Sequence, residues 1–373
     1  KKEKKFAELF SGLRLAYGCY RPNEDNGPGK QKGQYRVVSE ELTDDRLLEL
    51  WETHLAGQES LGIVPIREDN SCVWGAIDID TYPLKHDDLV ERLVKRNELP
   101  FIVARSKSGG AHVFCFVKEP VPASIMQGKL KEVAAALGYG TAEIFPKQTK
   151  LLLEKGDRGN ILNMPYFGGS SSTRYCHNDN GEGILDLDEF IYHAKSKQIT
   201  RRELENLTPQ DINNAESDPD LNGAPPCLKA LCTMGFPEGT RNNGLFDLGV
   251  FVRKKFQDTW ERKVEDFNFK FMKPPLGAQE VLTVIRALNN KDYHYKCNDQ
   301  PIAAFCNAAV CRTCEYGVGS SGGMPQFGNL QKQDSQPPIW FLDVEGHRIE
   351  LTTEELQNQT KFQRRCMDAL NFM

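Results

Sequence analysis

The stretch "VWGAIDIDTY", residues 73–82, decides how this chain folds. It begins as an apolar, strand-forming run and ends with two carboxylates, Asp78 and Asp80, one residue apart. A strand turns successive side chains to opposite faces, so Ile77 and Ile79 share one face while Asp78 and Asp80 project together from the other. Two neighbouring anions repel unless something cationic sits between them. The stretch therefore reads as a buried strand whose end can hold divalent cations; the plainer alternative is a solvated strand end.

Working outward, the strand-like runs "PFIVARS" and "AHVFCFV" alternate with the helical patterns "DDLVERLVKRN" and "SIMQGKLKEVAAAL", which is the α/β rhythm. The expected fold class is an α/β (α+β) domain with mixed sheets over residues 1–196. Residues 197–225, with "PQDINNAESDPDLNGAPP", are rich in Asn, Asp, Pro and Gly and read as a linker. A mainly helical, cysteine-rich domain is expected over 226–333, carried by "CLKALCTM", "NNGLFDLGVFVRKKF" and "AQEVLTVIRALNN". A tail, 334–373, follows a Gly/Ser/Gln-rich stretch. Within it "IWFLDVEGHRIELT" predicts a hairpin turning at Glu345-Gly346, and Thr352 with Glu355 predicts a capping box for a last helix.

A length of 373 residues suits two or three domains, and 39% apolar with 27% charged residues is ordinary for a globular chain. No apolar run approaches the ~20 residues of a membrane span, and no signal peptide opens the sequence. The expected location is the cytoplasm of a bacterial or viral-host cell, with no membrane partner. The Met-free start at Lys1 and the end at Met373 read as cuts in a longer chain. A net charge of −5 excludes a uniformly basic nucleic-acid coat but not a local basic groove.

Two further segments add chemistry to the aspartates. In "ARSKSGGAHVFCFV" a strand ends at Ala104 and another begins near Ala111. The loop between them brings backbone N–H groups and Lys107 toward where phosphate oxygens could lie. Gly109 and Gly110 permit close backbone approach, and His112 shares a strand face with Phe114 and Phe116. Arg105 and Ser108 complete the polar set. In "TAEIFPKQTKL", Glu143 stands on a third short strand, where a further acid would complete a two-metal site. Lys147, Gln148, Asn160 and, in "RGNILNMPYFGG", Asn163 are polar groups for the same cleft.

Taken together and in this order, these segments resemble the archaeo-eukaryotic primase superfamily. The likeness is to the primase-polymerases of phages, plasmids and mobile conflict systems, and it covers about residues 50–195. "DID" matches that family's paired aspartates, "SGGAH" is a lengthened form of its serine-to-histidine motif, and "EIFPKQ" and "GNILNMPYF" look like the conflict-system branch. The resemblance implies that Asp78, Asp80 and Glu143 are catalytic and hold Mg²⁺ or Mn²⁺, with Asp186 as the other choice for the third acid. It also implies that Arg105, Lys107, Ser108, Gly109, Gly110, His112, Lys147, Gln148 and Asn163 bind the incoming nucleotide.

Eleven cysteines without a secretory signal read as buried thiols plus a metal or cluster site. Cys297, Cys306, Cys311 and Cys314 crowd into C-x8-C-x4-C-x2-C, with Cys227 upstream after a double proline. This layout resembles the iron–sulfur domain of the large primase subunit. It implies Cys227, Cys297, Cys306 and Cys311 as ligands of a 4Fe-4S cluster, with Zn²⁺ as the alternative metal and Cys314 as the alternative ligand.

The expected activity is that of a DNA-dependent primase-polymerase. It would make and extend primers from NTPs or dNTPs on single-stranded DNA in phage or mobile-element replication. The tail resembles the connector to a helicase module in the same full-length chain. The rivals are a DxD glycosyltransferase and a non-catalytic replication-initiation DNA-binding protein.

Overall fold

The computed structural model describes residues 2–22, 33–95, 98–207, 218–318 and 327–370. It divides into two compact units, one of Lys1–Leu130, Glu143–Leu207 and Pro325–Met373, the other of Lys131–Ala142 and Thr208–Met324.

In the first unit the strands are β1 Tyr17–Pro22, β2 Gly33–Val38, β3 Ser60–Ile63, β4 Ser71–Ile79 and β5 Phe101–Arg105. They continue with β6 Ala111–Pro122, β7 Glu143–Phe145, β8 Leu162–Asn163, β9 Cys176–His177 and β10 Ile184–Leu185. They make a four-stranded sheet, β2-β1-β3-β8, and a six-stranded sheet, β10-β9-β5-β6-β4-β7. The mixed sheets expected from sequence are antiparallel in their ladders. Among the described residues, parallel pairing is confined to an isolated bridge, Val117–Ile199. The α+β form of the expectation is thus the one realised.

Alternation explains how the large sheet is buried. On one face Trp74 opposes Phe116, and Ala76 opposes Phe114 and Phe145. These residues join Phe6, Phe10, Trp51 and Phe190 in a core shared with the smaller sheet. Phe10 meets Trp74, Phe114 and Phe116 edge-on at 5.3–5.4 Å, the geometry that aromatic quadrupoles prefer. The other face carries Gly75, Ile77 and Ile79 of β4. A Cβ on Gly75 would stand 2.6 Å from Met126 and 2.7 Å from Leu130. Only glycine there lets the helix Ala123–Leu137 lie close on the strand.

In the second unit the three helical patterns form Pro226–Met234, Arg241–Phe256 and Ala278–Asn290. A further helix, Trp260–Phe271, was not singled out in the sequence. Its buried Trp260, Val264, Phe267 and Phe271 recur at helical spacing. Their core includes Leu245, Leu248, Phe251, Val284 and Leu288.

Contacts cut the chain at other points than composition did. Residues 197–207 group with the first unit, where Ile199 N donates to Phe116 O at 3.1 Å and Lys118 N to Ile199 O at 2.8 Å. The tail groups there too, as a three-stranded sheet of β11 Phe327–Gln333, β12 Ile339–Val344 and β13 His347–Thr352. Its β12–β13 turn places Glu345 and Gly346 at φ 49° and 79°, the left-handed pair of a two-residue hairpin. Thr352 and Glu355 cap each other reciprocally. The middle of the expected linker, 208–217, and part of the Gly/Ser/Gln-rich stretch, 319–326, lie outside the described residues.

Candidate active site and thiol cavity

The carboxylate strand β4 is central in the large sheet, and its neighbours bring polar residues into one transverse row. Asp78 opposes Glu143 on β7 and His112 on β6, and His112 in turn opposes Ala104 on β5. Directly opposed residues present their side chains on the same face, so Glu143, Asp78 and His112 lie side by side. The row two residues back is Phe145–Ala76–Phe114–Ile102, all in the core. The polar row is therefore the first beyond the hydrophobic floor.

His112 Nε2 stands 3.4 Å from Asp78 Oδ1, with both side chains largely shielded from water. Its ring packs edge-on against Phe114 at 5.8 Å, which fixes the imidazole beside the carboxylate. Glu143 is the exposed member of the row and pairs with Lys147 Nζ at 2.6 Å. Asp186, the other choice for the third acid, caps the helix Leu187–Ser196. It accepts from Asp188 and Glu189 N–H, while Glu189 returns a bond to its own N–H. Its oxygens serve that helix end, and it takes no part in the row.

The loop Ser106–Gly110 closes over the end of β4. Ser106 N donates to Gly110 O at 2.9 Å, and Gly109 adopts φ 95°. A Cβ on Gly110 would meet the carbonyl oxygen of Ile79 at 2.2 Å. The loop can lie against the backbone between the two aspartates only because residue 110 is glycine. His86 Nε2 donates to the Gly110 carbonyl at 2.8 Å and its ring stacks on His177 at 5.3 Å.

Tyr82, at the end of the opening stretch, joins loop to strand. The Tyr82 hydroxyl is 2.8 Å from Asp80 Oδ1 and 2.5 Å from Ser108 Oγ. A carboxylate only accepts, so the phenol donates to Asp80. The signal lay in alternation: Tyr82 follows Asp80 by two, as Asp80 follows Asp78.

The remaining nucleotide candidates divide. Arg105 donates to Thr173 O at 3.1 Å, and Lys107 Nζ lies 3.1 Å from the centre of the Tyr20 ring. Both belong to the β5–β6 connection beside the aspartates. Gln148 is wholly buried and braced against Asn160: Gln148 Oε1 accepts Asn160 N–H at 3.1 Å and the Gln148 amide donates to Asn160 Oδ1. Its polar atoms serve the segment around Asn160. Asn163 lies on β8 in the smaller sheet, opposite Gly62, and is not drawn into the row.

In the second unit Cys227, Cys297, Cys306 and Cys311 line one small cavity, together with Pro225, Pro226, Tyr295, Ile302 and Asn307. Pro226 and Cys227 open a helix, and the other three thiols come from the segment folded over it. Burial, reinforced by its three neighbours, pushes the Cys227 thiol well above its ordinary range. Burial likewise raises Cys297, to about 11. Gly317 is required here because a Cβ would stand 1.9 Å from Cys311 O. Cys314 is not among the lining residues and donates to Val310 O at 3.4 Å. Among the described residues, no three His, Cys, Asp or Glu side chains are drawn together closely enough to hold a metal ion. In donor chemistry alone, four thiols on one cavity suit zinc or an iron–sulfur cluster, and carboxylates at a strand end suit hard divalent cations.

No helix among the described residues is long and apolar enough to cross a membrane.

Comparison with known proteins bears on the family of the first unit. The family model described as TOTE conflict system, archaeo-eukaryotic primase domain, matches residues 16–207, just over half of the chain. Among solved structures, one described as primase RepB′ is similar at 11% identity over 82% of this chain and 90% of that chain. The TM-score is 0.26. No curated protein matches the sequence.

Proposed function

We propose, from the premise that this chain belongs to the archaeo-eukaryotic primase domain family of TOTE conflict systems and is a primase-type nucleotidyltransferase, that it makes and extends primers on single-stranded DNA. The observation that carries this reading is the Glu143–Asp78–His112 row with the Gly110 loop folded against Ile79 beside it.

In this reading Asp78, Asp80 and Glu143 would hold two Mg²⁺ or Mn²⁺ ions. When bound, such ions sharpen a 3′-hydroxyl as nucleophile and offset charge on the triphosphate. The protein's own part is alignment, since phosphoryl transfer asks for little else. Tyr82 holds Asp80 and Ser108 at one spacing, so carboxylate and loop move together. His112 orients Asp78 and offers a donor at the edge of the loop, where nucleotide phosphates would lie. Arg105 at the end of β5 and Lys107 on the loop supply positive charge, and Lys147 offsets Glu143.

We assign Cys227, Cys297, Cys306 and Cys311 to a 4Fe-4S cluster, with zinc as the other metal their donors take. Either would cross-link the helical unit. The partners in this reading are single-stranded DNA, NTPs or dNTPs, and a helicase module of the same full-length protein.

Primer synthesis from labelled nucleotides on single-stranded DNA with Mn²⁺ tests the proposal. The wild type is expected to give product and the Asp78→Ala/Asp80→Ala double variant none. Wild-type silence, or equal product from both, overturns it. Anaerobic purification with metal analysis tests the second assignment: brown protein with visible absorbance supports the cluster, and a colourless zinc protein replaces it.

A further inference from the structure

The tail sheet lies outside the residues matched by the family, yet it carries a buried arginine whose guanidinium is fully hydrogen-bonded. Arg348 on β13 donates Nε to Asp157 Oδ2 at 2.5 Å and Nη2 to Asp157 Oδ1 at 3.1 Å. Nη1 reaches Asp343 Oδ1 at 3.1 Å and Asn329 O at 3.4 Å, and Nη2 also reaches Gln331 Oε1 at 2.8 Å. These contacts use all five guanidinium N–H groups. Arg348 and Asp157 are 1% and 0% exposed at the side chain.

On the other side of the pair, Asp157 accepts from Gly159 N at 3.0 Å and Leu152 N at 3.3 Å. It thereby organises the loop that runs from Lys147 to Asn160. The tail grips that loop elsewhere too, and Lys155 Nζ pairs with Glu350 Oε2 at 3.3 Å. Asn329 Nδ2 donates to the Lys147 carbonyl, Gln331 Nε2 to Gly159 O at 3.2 Å, and Thr149 Oγ1 to Gly346 O at 3.2 Å. Lys147 is the residue that reaches Glu143 in the polar row.

A buried ion pair is a weak device for stability alone, because well-packed apolar residues hold two elements together as well or better. A bidentate guanidinium instead fixes position and rotation. We infer that the C-terminal sheet Phe327–Thr352 is a positioning element of the active site. Arg348 on Asp157, and Asn329 on the Lys147 carbonyl, set the loop from which Lys147 serves Glu143 and the incoming nucleotide. Arg348 and Asn329 are positioning residues, and the inference rests on the primase reading for its kinetic arm only.

The test uses the full chain and compares wild type with Arg348→Met, Arg348→Lys and Asn329→Ala. It measures KM for nucleotide and kcat in primer extension, thermal melting, and hydrogen exchange in peptides spanning 147–160. Lys147 would bind ground state and transition state alike, so KM is expected to rise roughly ten- to a hundred-fold with kcat little changed. Exchange at 147–160 is expected to quicken in each variant, and Arg348→Lys is expected not to rescue, since one ammonium cannot reproduce the fork. Asn329→Ala keeps the buried pair and decides the matter if Arg348→Met does not fold. Unchanged exchange at 147–160 in a folded Asn329→Ala, or an unchanged KM in it, overturns the inference. If the wild type makes no primer, the functional reading falls while the exchange arm still decides the positioning claim.

Discussion

Tyr82 carries one hydroxyl between two elements, Asp80 on the strand end and Ser108 on the loop. A hydrogen bond to a charged group contributes about 1.5–3 kcal/mol, so Tyr82→Phe should lower kcat/KM for primer extension by roughly ten-fold or more. It should leave the melting temperature nearly unchanged, because Tyr82 is exposed. Loss of melting temperature with activity intact would assign Tyr82 to the fold instead. Gly110→Ala should act more severely. Its new methyl group would sit on the Ile79 carbonyl, lift the loop off the strand, and reduce activity about a hundred-fold. Wild-type rates in that variant would show that the loop need not close against β4. Both residues mark what local pattern can and cannot tell. The need for glycine at 110 was legible as a small-residue loop, whereas the partners of Tyr82 depend on where residue 108 lands, and no spacing rule supplies that.

At the scale of elements, β4 was legible because period-two alternation binds the identity of each residue to a face. Once Ile77 is inside, Asp78 must be on the opposite side, and the same rule placed His112 with Phe114 and Phe116. The tail was legible only in part. Its hairpin turn and its capping box are local features, but the bond from Arg348 to Asp157 joins residues 191 positions apart, and neither residue shows in sequence that it will be buried. Breaking such a pair by removing one partner leaves a buried charge and costs about 3–5 kcal/mol. Arg348→Met and Asp157→Asn are each expected to melt well below wild type, and the double variant to recover much of the loss. Additive losses in the double variant would mean that the two side chains act independently.

For the first unit as a whole, the buried His54 and the half-buried His177 give stability a defined pH dependence. His54 accepts from Leu61 N–H through Nδ1 and faces the Pro165 carbonyl through Nε2, so the neutral Nε2–H tautomer fits the site. Burial, partly offset by the bond to Pro165, lowers its pKa from 6.5 to about 3. Burial and the neighbouring His86 lower His177 to about 4. With a depressed folded pKa, the unfolded chain takes up the proton first. The His54 contribution is therefore complete above about pH 6.5 and is lost as pH falls toward 3, at up to about 1.4 kcal/mol per pH unit. Melting followed from pH 7 to 4 should show this fall, and His54→Gln should be less stable at pH 7 but flatter across the window. An equally steep fall in His54→Gln would place the acid sensitivity elsewhere.

The polar row is tested most directly by primer synthesis on single-stranded DNA with Mn²⁺ by wild type, Asp78→Asn, Glu143→Gln and Asp186→Asn. Asparagine caps a helix as well as aspartate does, so the last variant should keep its fold and stay within a few-fold of wild type. Asp78→Asn and Glu143→Gln are predicted to lose about a hundred- to a thousand-fold in rate. Full activity in Asp78→Asn, or loss in Asp186→Asn with Glu143→Gln unaffected, would contradict the row as the site of nucleotidyl transfer.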